Sequence, residues 1–193
     1  MGNDFSNNIK QVEKDIQKYV MTGFAPMAAQ KGLRFIDDNF KNQSWAGLPN
    51  IAWKKRKGGK DAGRALLIKK GVLRRSFQAQ TAPGQVRIFT PVPYAPAHNE
   101  GFRETVSVKA HTRKKIRNAK VQMINEFTKS GKHKTKTIQV HEGDSNVKAH
   151  SRQMNIPRRQ FMPTTARPSS VLNDAVIKQV RNDMYKILKG TFK

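Results

Sequence analysis

The chain contains no cysteine, which removes disulfide frameworks, thiolate metal sites, iron–sulfur ligation and thiol nucleophiles together and fits assembly in a reducing cytosol. Acidic residues are scarce: 13 Asp and Glu stand against 38 Lys and Arg in 193 residues, a formal net charge of +25. No run of apolar residues reaches the length of a bilayer-spanning helix. The opening MGNDFSNNIKQVEKD lacks the basic-then-apolar order of a secretory signal. A soluble protein is expected, without membrane contact. Aromatic residues do not interleave the basic residues of 103–160, so no stacking platform for single-stranded nucleic acid is read there.

What is abundant is positive charge, and it is unevenly placed. Residues 1–50 carry net +1 and 76–102 net 0, whereas 51–75 carry +9 and 103–167 carry +12. The pattern is a near-neutral scaffold with two cationic surfaces, one around Trp53 to Lys60 and one around Arg113 to Lys120, the latter containing Arg113, Lys114, Lys115, Arg117 and Lys120. Both suit an acidic partner.

Apolar residues at Phe5, Ile9, Val12, Ile16, Tyr19 and Val20 have the spacing of a helix with one buried stripe. Gly23 and Pro26 interrupt it before the pattern resumes at Met27, Phe35, Ile36 and Phe40, so a kink or a second helix is expected near Gly23. Residues 42–60 read as a loop anchored by Trp45, Leu48 and Trp53, and 62–70 as a short helix closed by Gly71 in a left-handed C-terminal cap. Residues 85–90 alternate as a strand ended by Pro91 and Pro93. Tyr94 to Glu100 reads as one or two helical turns closed by Gly101, with Tyr94 and His98 on one face. Ser169 or Ser170 caps a final amphipathic helix that carries Leu172, Val176, Val180, Met184, Ile187 and Leu188. Helices at both ends around short strands make an α+β fold.

Val108-Lys-Ala-His-Thr-Arg113 recurs as Val147-Lys-Ala-His-Ser-Arg152, around a polar, Lys-rich stretch. Two matching alternating segments about one excursion predict an antiparallel β-ribbon with a basic tip. The organisation expected is therefore one α+β domain over 1–193, with a basic arm inserted at 102–150.

Catalytic constellations are thin. Asp37 and Asp38 read as a solvated helix end, Glu100 and Glu104 near His98 lack a companion nucleophile, and the five histidines lack metal-binding spacing even where the repeat brings His111 toward His150. No catalytic residue, cofactor or metal is assigned.

Three short motifs stand in fixed order. Gly71-Val-Leu-Arg-Arg-Ser76 resembles T-G-x-L-x-x-S with Lys70 for Thr. Tyr94-Ala-Pro-Ala-His-Asn-Glu-Gly101 resembles Y-A-x-x-H-x-x-G. Ile156-Pro-Arg-Arg-Gln-Phe161 resembles I-P-A-R-P-F, with Arg158 and Gln160 as departures. Together they are similar to the virion morphogenesis family of tailed bacteriophages, the Mu-like tail-completion and head–tail joining proteins, where Trp45 and Leu48 match a Trp-x-x-Leu element. The resemblance implies a structural, non-enzymatic protein of the virion neck, assembled in the host cytoplasm as a homo-oligomeric ring beside portal, head-completion or tail proteins. Interface residues implied by resemblance and charge are Tyr94, His98, Arg159 and Phe161, with the Arg113 to Lys120 cations. The alternative is a sequence-nonspecific nucleic-acid-binding protein of ribosomal or packaging type, drawn from the +25 charge, and nonspecific contact with phage DNA is compatible with either. A hydrolase of an acidic polymer ranks third.

Overall fold

The computed structural model describes residues 2–56, 58 and 63–192. Lys57, Gly59 and Lys60 of the first cationic block, and Ala62 at the start of the expected short helix, lie outside the described residues. The fold is α+β, with helices at both ends and small antiparallel sheets. The chain divides into two compact units, residues 1–102 with 156–193, and residues 103–155.

In the first unit, α1 (Gly2–Lys18) runs into a five-residue π-helical turn, Tyr19–Gly23, and then α2 (Phe24–Asn42). The expected break is this widened turn, where the Phe24 N–H donates to the Tyr19 carbonyl five residues back. α2 is the core helix: Ala25, Ala29, Gly32, Phe35, Ile36, Asn39 and Phe40 are buried, the spacing of a single inward face. It packs against α5 (Ser170–Thr191) and against a hairpin of β3 (Gln78–Ala82) and β4 (Gln85–Phe89). Gly32 makes that approach close, since a Cβ there would run into Ile88 Cδ1. The hairpin turn reaches the π-turn, Gly84 N–H donating to the Val20 carbonyl at 3.3 Å.

α5 begins as expected, with Ser169 Oγ accepting from Leu172 N–H at 3.1 Å. It also packs on α1, where the Tyr19 hydroxyl donates to Asp183 at 3.1 Å and Phe5 approaches Phe192. No described helix is long and apolar enough to cross a membrane.

Two sequence expectations fail in the segment after α2. Residues 42–56 contain a small pair of strands, β1 (Ser44–Trp45) and β2 (Ile51–Ala52), and of the three expected anchors Trp45 and Trp53 are buried while Leu48 is 81% exposed. Residues 63–70 form turns rather than a helix. Gly71 is left-handed, φ +70°, but it opens the short α3 (Val72–Arg75) instead of closing a helix before it. The local conformation was legible; the side on which the helix lies was not.

The core gathers Phe35, Ile36, Phe40, Trp45, Trp53, Leu66, Leu73, Val92, Ala95 and Phe161. Phe40 sits at its centre, 5.4 Å edge-on from Trp53 and 5.2 Å from Phe161. Every one of these residues belongs to the first unit.

The second unit is a ribbon. β5 (Phe102–Val108) pairs with β8 (His150–Ile156), and β6 (His111–Phe127) with β7 (His133–Val147), antiparallel. Both ladders stop at the repeated motif. Lys109-Ala110 and Lys148-Ala149 lie outside the strands, His111 is registered opposite Val147, and each motif histidine places Nδ1 3.0 Å from the carbonyl of its own lysine. The near-repeat thus takes the same local geometry twice, on facing strands, and the ribbon expected there is present.

Candidate functional site

Three distant segments converge in the first unit. After Pro91 and Pro93, α4 (Ala95–Glu100) makes its turn and a half with Pro96 in its first turn, and Gly101 closes it at φ +85°. A Cβ at Gly101 would come 3.3 Å from the Arg158 backbone nitrogen, so this position lets the 156–161 strap cross. Asn99 then joins them: its Oδ1 accepts from Phe161 N–H at 2.9 Å and Met162 N–H at 3.0 Å, and its Nδ2 donates to the Met162 carbonyl at 3.2 Å. Asn39 of α2 grips the other side, donating to the Phe161 carbonyl at 3.1 Å and accepting from Ala46 N–H at 2.8 Å. The Trp53 indole donates to the Gln160 carbonyl at 2.8 Å.

The Gly71 to Ser76 segment is tied in separately. Arg74 Nε lies 2.6 Å from Asp37 Oδ1, with Lys41 on the second carboxylate oxygen at 2.8 Å. The Arg74 hydrogen bond, then that of Lys41, hold the Asp37 carboxyl down to about 2. Asp37, read from the sequence as a solvated helix-end acid, is partly exposed near the end of α2 and holds two cations there. Ser76 Oγ donates to the Leu73 carbonyl at 2.8 Å and lies 2.6 Å from Thr90 Oγ1, linking α3 to the end of β4.

The residues singled out from sequence fall into two groups. Phe161 is 1% exposed and part of the core, so it cannot serve as a surface contact in this fold. Arg159 is buried too, its Nε and Nη2 both donating to the Lys54 carbonyl at 3.1 and 3.0 Å, and its N–H to the His98 carbonyl at 2.8 Å. Both hold the strap. Tyr94 is 47% exposed and stacks edge-on against His98, 5.9 Å between centroids, so it borders the core rather than covering it. Tyr94, His98 and Arg159 line a cleft of about 370 Å³ together with Leu66 and Leu73. His98 Nδ1 is buried without a hydrogen-bond partner among the described residues. Burial, and secondarily the Arg159 charge, lower its pKa below the ordinary 6.5 and keep the ring neutral. The signal sequence reasoning missed is the pair Asn39 and Asn99: both are polar residues inside apolar patterns, and their partners are backbone groups that no motif displays.

Titration gives these two groups distinct signatures. His98 has a depressed folded pKa, so its neutral form stabilises the fold fully above 6.5, and that contribution is lost as pH falls from there toward the folded value. Asp37 acts lower, its contribution present above 3.8 and lost as pH falls toward about 2. Melting temperature should decline in two steps on acidification, and His98→Gln should flatten the upper step alone; an unchanged upper step in that variant places the proton elsewhere.

The second group is on β6. Arg113, Lys114, Lys115, Arg117 and Lys120 are all exposed, and the ladder from His111 to Gln122 spaces them along one strand. Arg117 pairs with Glu142 at 2.6 Å; the other four make no ion pair among the described residues. The other acids of β6 and β7 are occupied, Asp144 by His141 at 2.8 Å and Glu126 by Lys134 at 3.4 Å. Comparison of the chain with models of protein families, with curated proteins and with solved structures finds no match in any of the three.

Proposed function

We propose that the chain is a non-enzymatic structural protein of the tailed-bacteriophage neck, acting in tail completion or head–tail joining as a subunit of a ring. The observation that carries this reading is the convergence of the three resembling segments. Residues 71–76, 94–101 and 156–161 are far apart in the chain, yet Asn99 and Arg159 bind the second to the third and Ser76, through Thr90, ties the first to the strand that leads into the second. Motifs that occur by chance need share no structural unit. The strap they hold closes the first unit, and the exposed cationic β6 is free to meet an acidic neighbour in a virion.

Native mass spectrometry of the purified chain at physiological salt, with electron microscopy of particles, tests this. A closed ring with heterologous contacts is the expected result; monomer alone, together with particles lacking any ring of this protein, overturns it. A second reading, nonspecific nucleic-acid binding, draws on the same four β6 cations that make no ion pair among the described residues. Its affinity would collapse with salt and be indifferent to sequence, and preference for one duplex by more than about 3 kcal/mol would mark a base-reading protein instead.

A further inference from the structure

Among the described residues the β6–β7 ladder has two strands and no third. Each strand therefore presents an outward row of backbone N–H and C=O groups along its free edge, and a lone two-stranded ribbon is marginal in water without further cover. The two edges differ. On β7, Lys115 faces Gly143 and Ile116 faces His141, so Glu142 is an extra residue, and Gly143 beside it has φ +127°. That bulge breaks the outer edge of β7. β6 has no inserted residue from His111 to Gln122, a straight edge of about 40 Å at the rise of an extended strand.

Charge separates them again. β6 contains five basic residues and one acid, β7 two of each. Arg113 and Lys115 share one face of β6 and Lys114 and Lys120 the other, so an added strand meets cations above and below its plane. Lysines on an edge repel a second copy of the same edge, and like charges placed opposite each other across a ladder are destabilising. The same residues attract a strand that carries carboxylates. Phosphate would answer the charge and leave the edge amides unused, and residues 111–122 hold no Phe, Tyr or Trp on which a base could stack.

We infer that the outer edge of β6, over residues 111–122, is a docking edge for an extended acidic segment of another protein, added to the ribbon as a third strand. The inference rests on the assembly role proposed above for the ribbon. It is tested on the full chain with a peptide, so that its outcome is independent of ring formation.

The probe is acetyl-EVETEVETE-amide, followed by amide hydrogen exchange of the intact protein. Added at saturating concentration, it slows exchange at alternate residues of 111–122 by at least tenfold, since only every second amide points outward. Acetyl-EVEPEVEPE-amide has the same charge but lacks the N–H donors at its prolines, and acetyl-KVKTKVKTK-amide reverses the charge; neither gives protection. The exposed double substitution Lys114→Glu, Lys120→Glu abolishes the effect of the acidic strand while the far-ultraviolet spectrum stays unchanged. Equal protection by the proline peptide would reduce the contact to charge alone and overturn the proposal. So would protection confined to 133–147, or protection of 111–122 by a random DNA duplex but not by the acidic strand.

Discussion

Replacing residues 114–146 with a short Gly/Ser linker leaves the helical circular-dichroism signal intact and the melting transition cooperative, and it prevents stable assembly. The core that melts is assembled wholly from residues outside the ribbon, from Phe35 to Ala95 and Phe161. No buried side chain of that core is removed. A change in stability of about 1 kcal/mol moves the melting temperature of a chain this size by roughly 2–4 °C, and the linker variant should stay within that range. What it loses is the exposed edge of β6 with Lys114, Lys115 and Lys120, three cations without a carboxylate partner among the described residues. Sedimentation and calorimetry on the same sample decide the matter: an unfolded variant makes the ribbon part of the folding unit, and a normally assembled one takes the joining role away from it.

The second large effect is expected at the strap. Phe161→Ala removes a ring in contact with Phe40 and Phe77, 5.2 and 5.6 Å between centroids, from a site with 1% exposure. Lost transfer energy plus the cavity left behind should cost about 3–5 kcal/mol, a large part of the stability of roughly 5–15 kcal/mol of a natural domain. Asn99→Ala acts on the same strap by another route. It leaves the Phe161 and Met162 N–H groups and the Met162 carbonyl without the side chain that binds them, at about 1–3 kcal/mol for a buried group left unpaired. Urea denaturation should rank both below the parent, with Phe161→Ala the lower. A loss under about 1 kcal/mol for either would mean that the 156–161 segment is held by something other than these contacts.

The two terminal helices could be read from the sequence because an amphipathic period and a Ser cap are local signals, and the structure places both helices there with Ser169 at the cap. The ribbon could be read because the motif repeats. Leu48 and residues 63–70 could not: an apolar residue in a loop is buried only if a neighbour covers it, and Trp45 and Trp53 supply the cover while Leu48 gets none. The π-turn at Tyr19–Gly23 was legible as an interruption but not as a widened turn. Within the candidate site, the motif residues drew attention to His98 and Arg159, whereas the joining is done by Asn99 and Asn39 through backbone partners 62 and 122 residues away. Pairing at that distance has no signature in a single chain.

The double interruption at Lys109-Ala110 and Lys148-Ala149 has a bearing on how such a protein can change over generations. Because both strands pause opposite one another, the ladder beyond them keeps its own register, from His111 opposite Val147 outward. Residues can be gained or lost in that outer part without altering the pairing of β5 with β8. The steps are quantised. Removing one residue from each strand would swap the two faces of everything beyond it, whereas removing two from each preserves them and shortens the ribbon by about 7 Å. The outer ribbon is in this sense a ruler graduated in dipeptides, and its reach can be adjusted to a neighbour of different size while the aromatic core is left as it is.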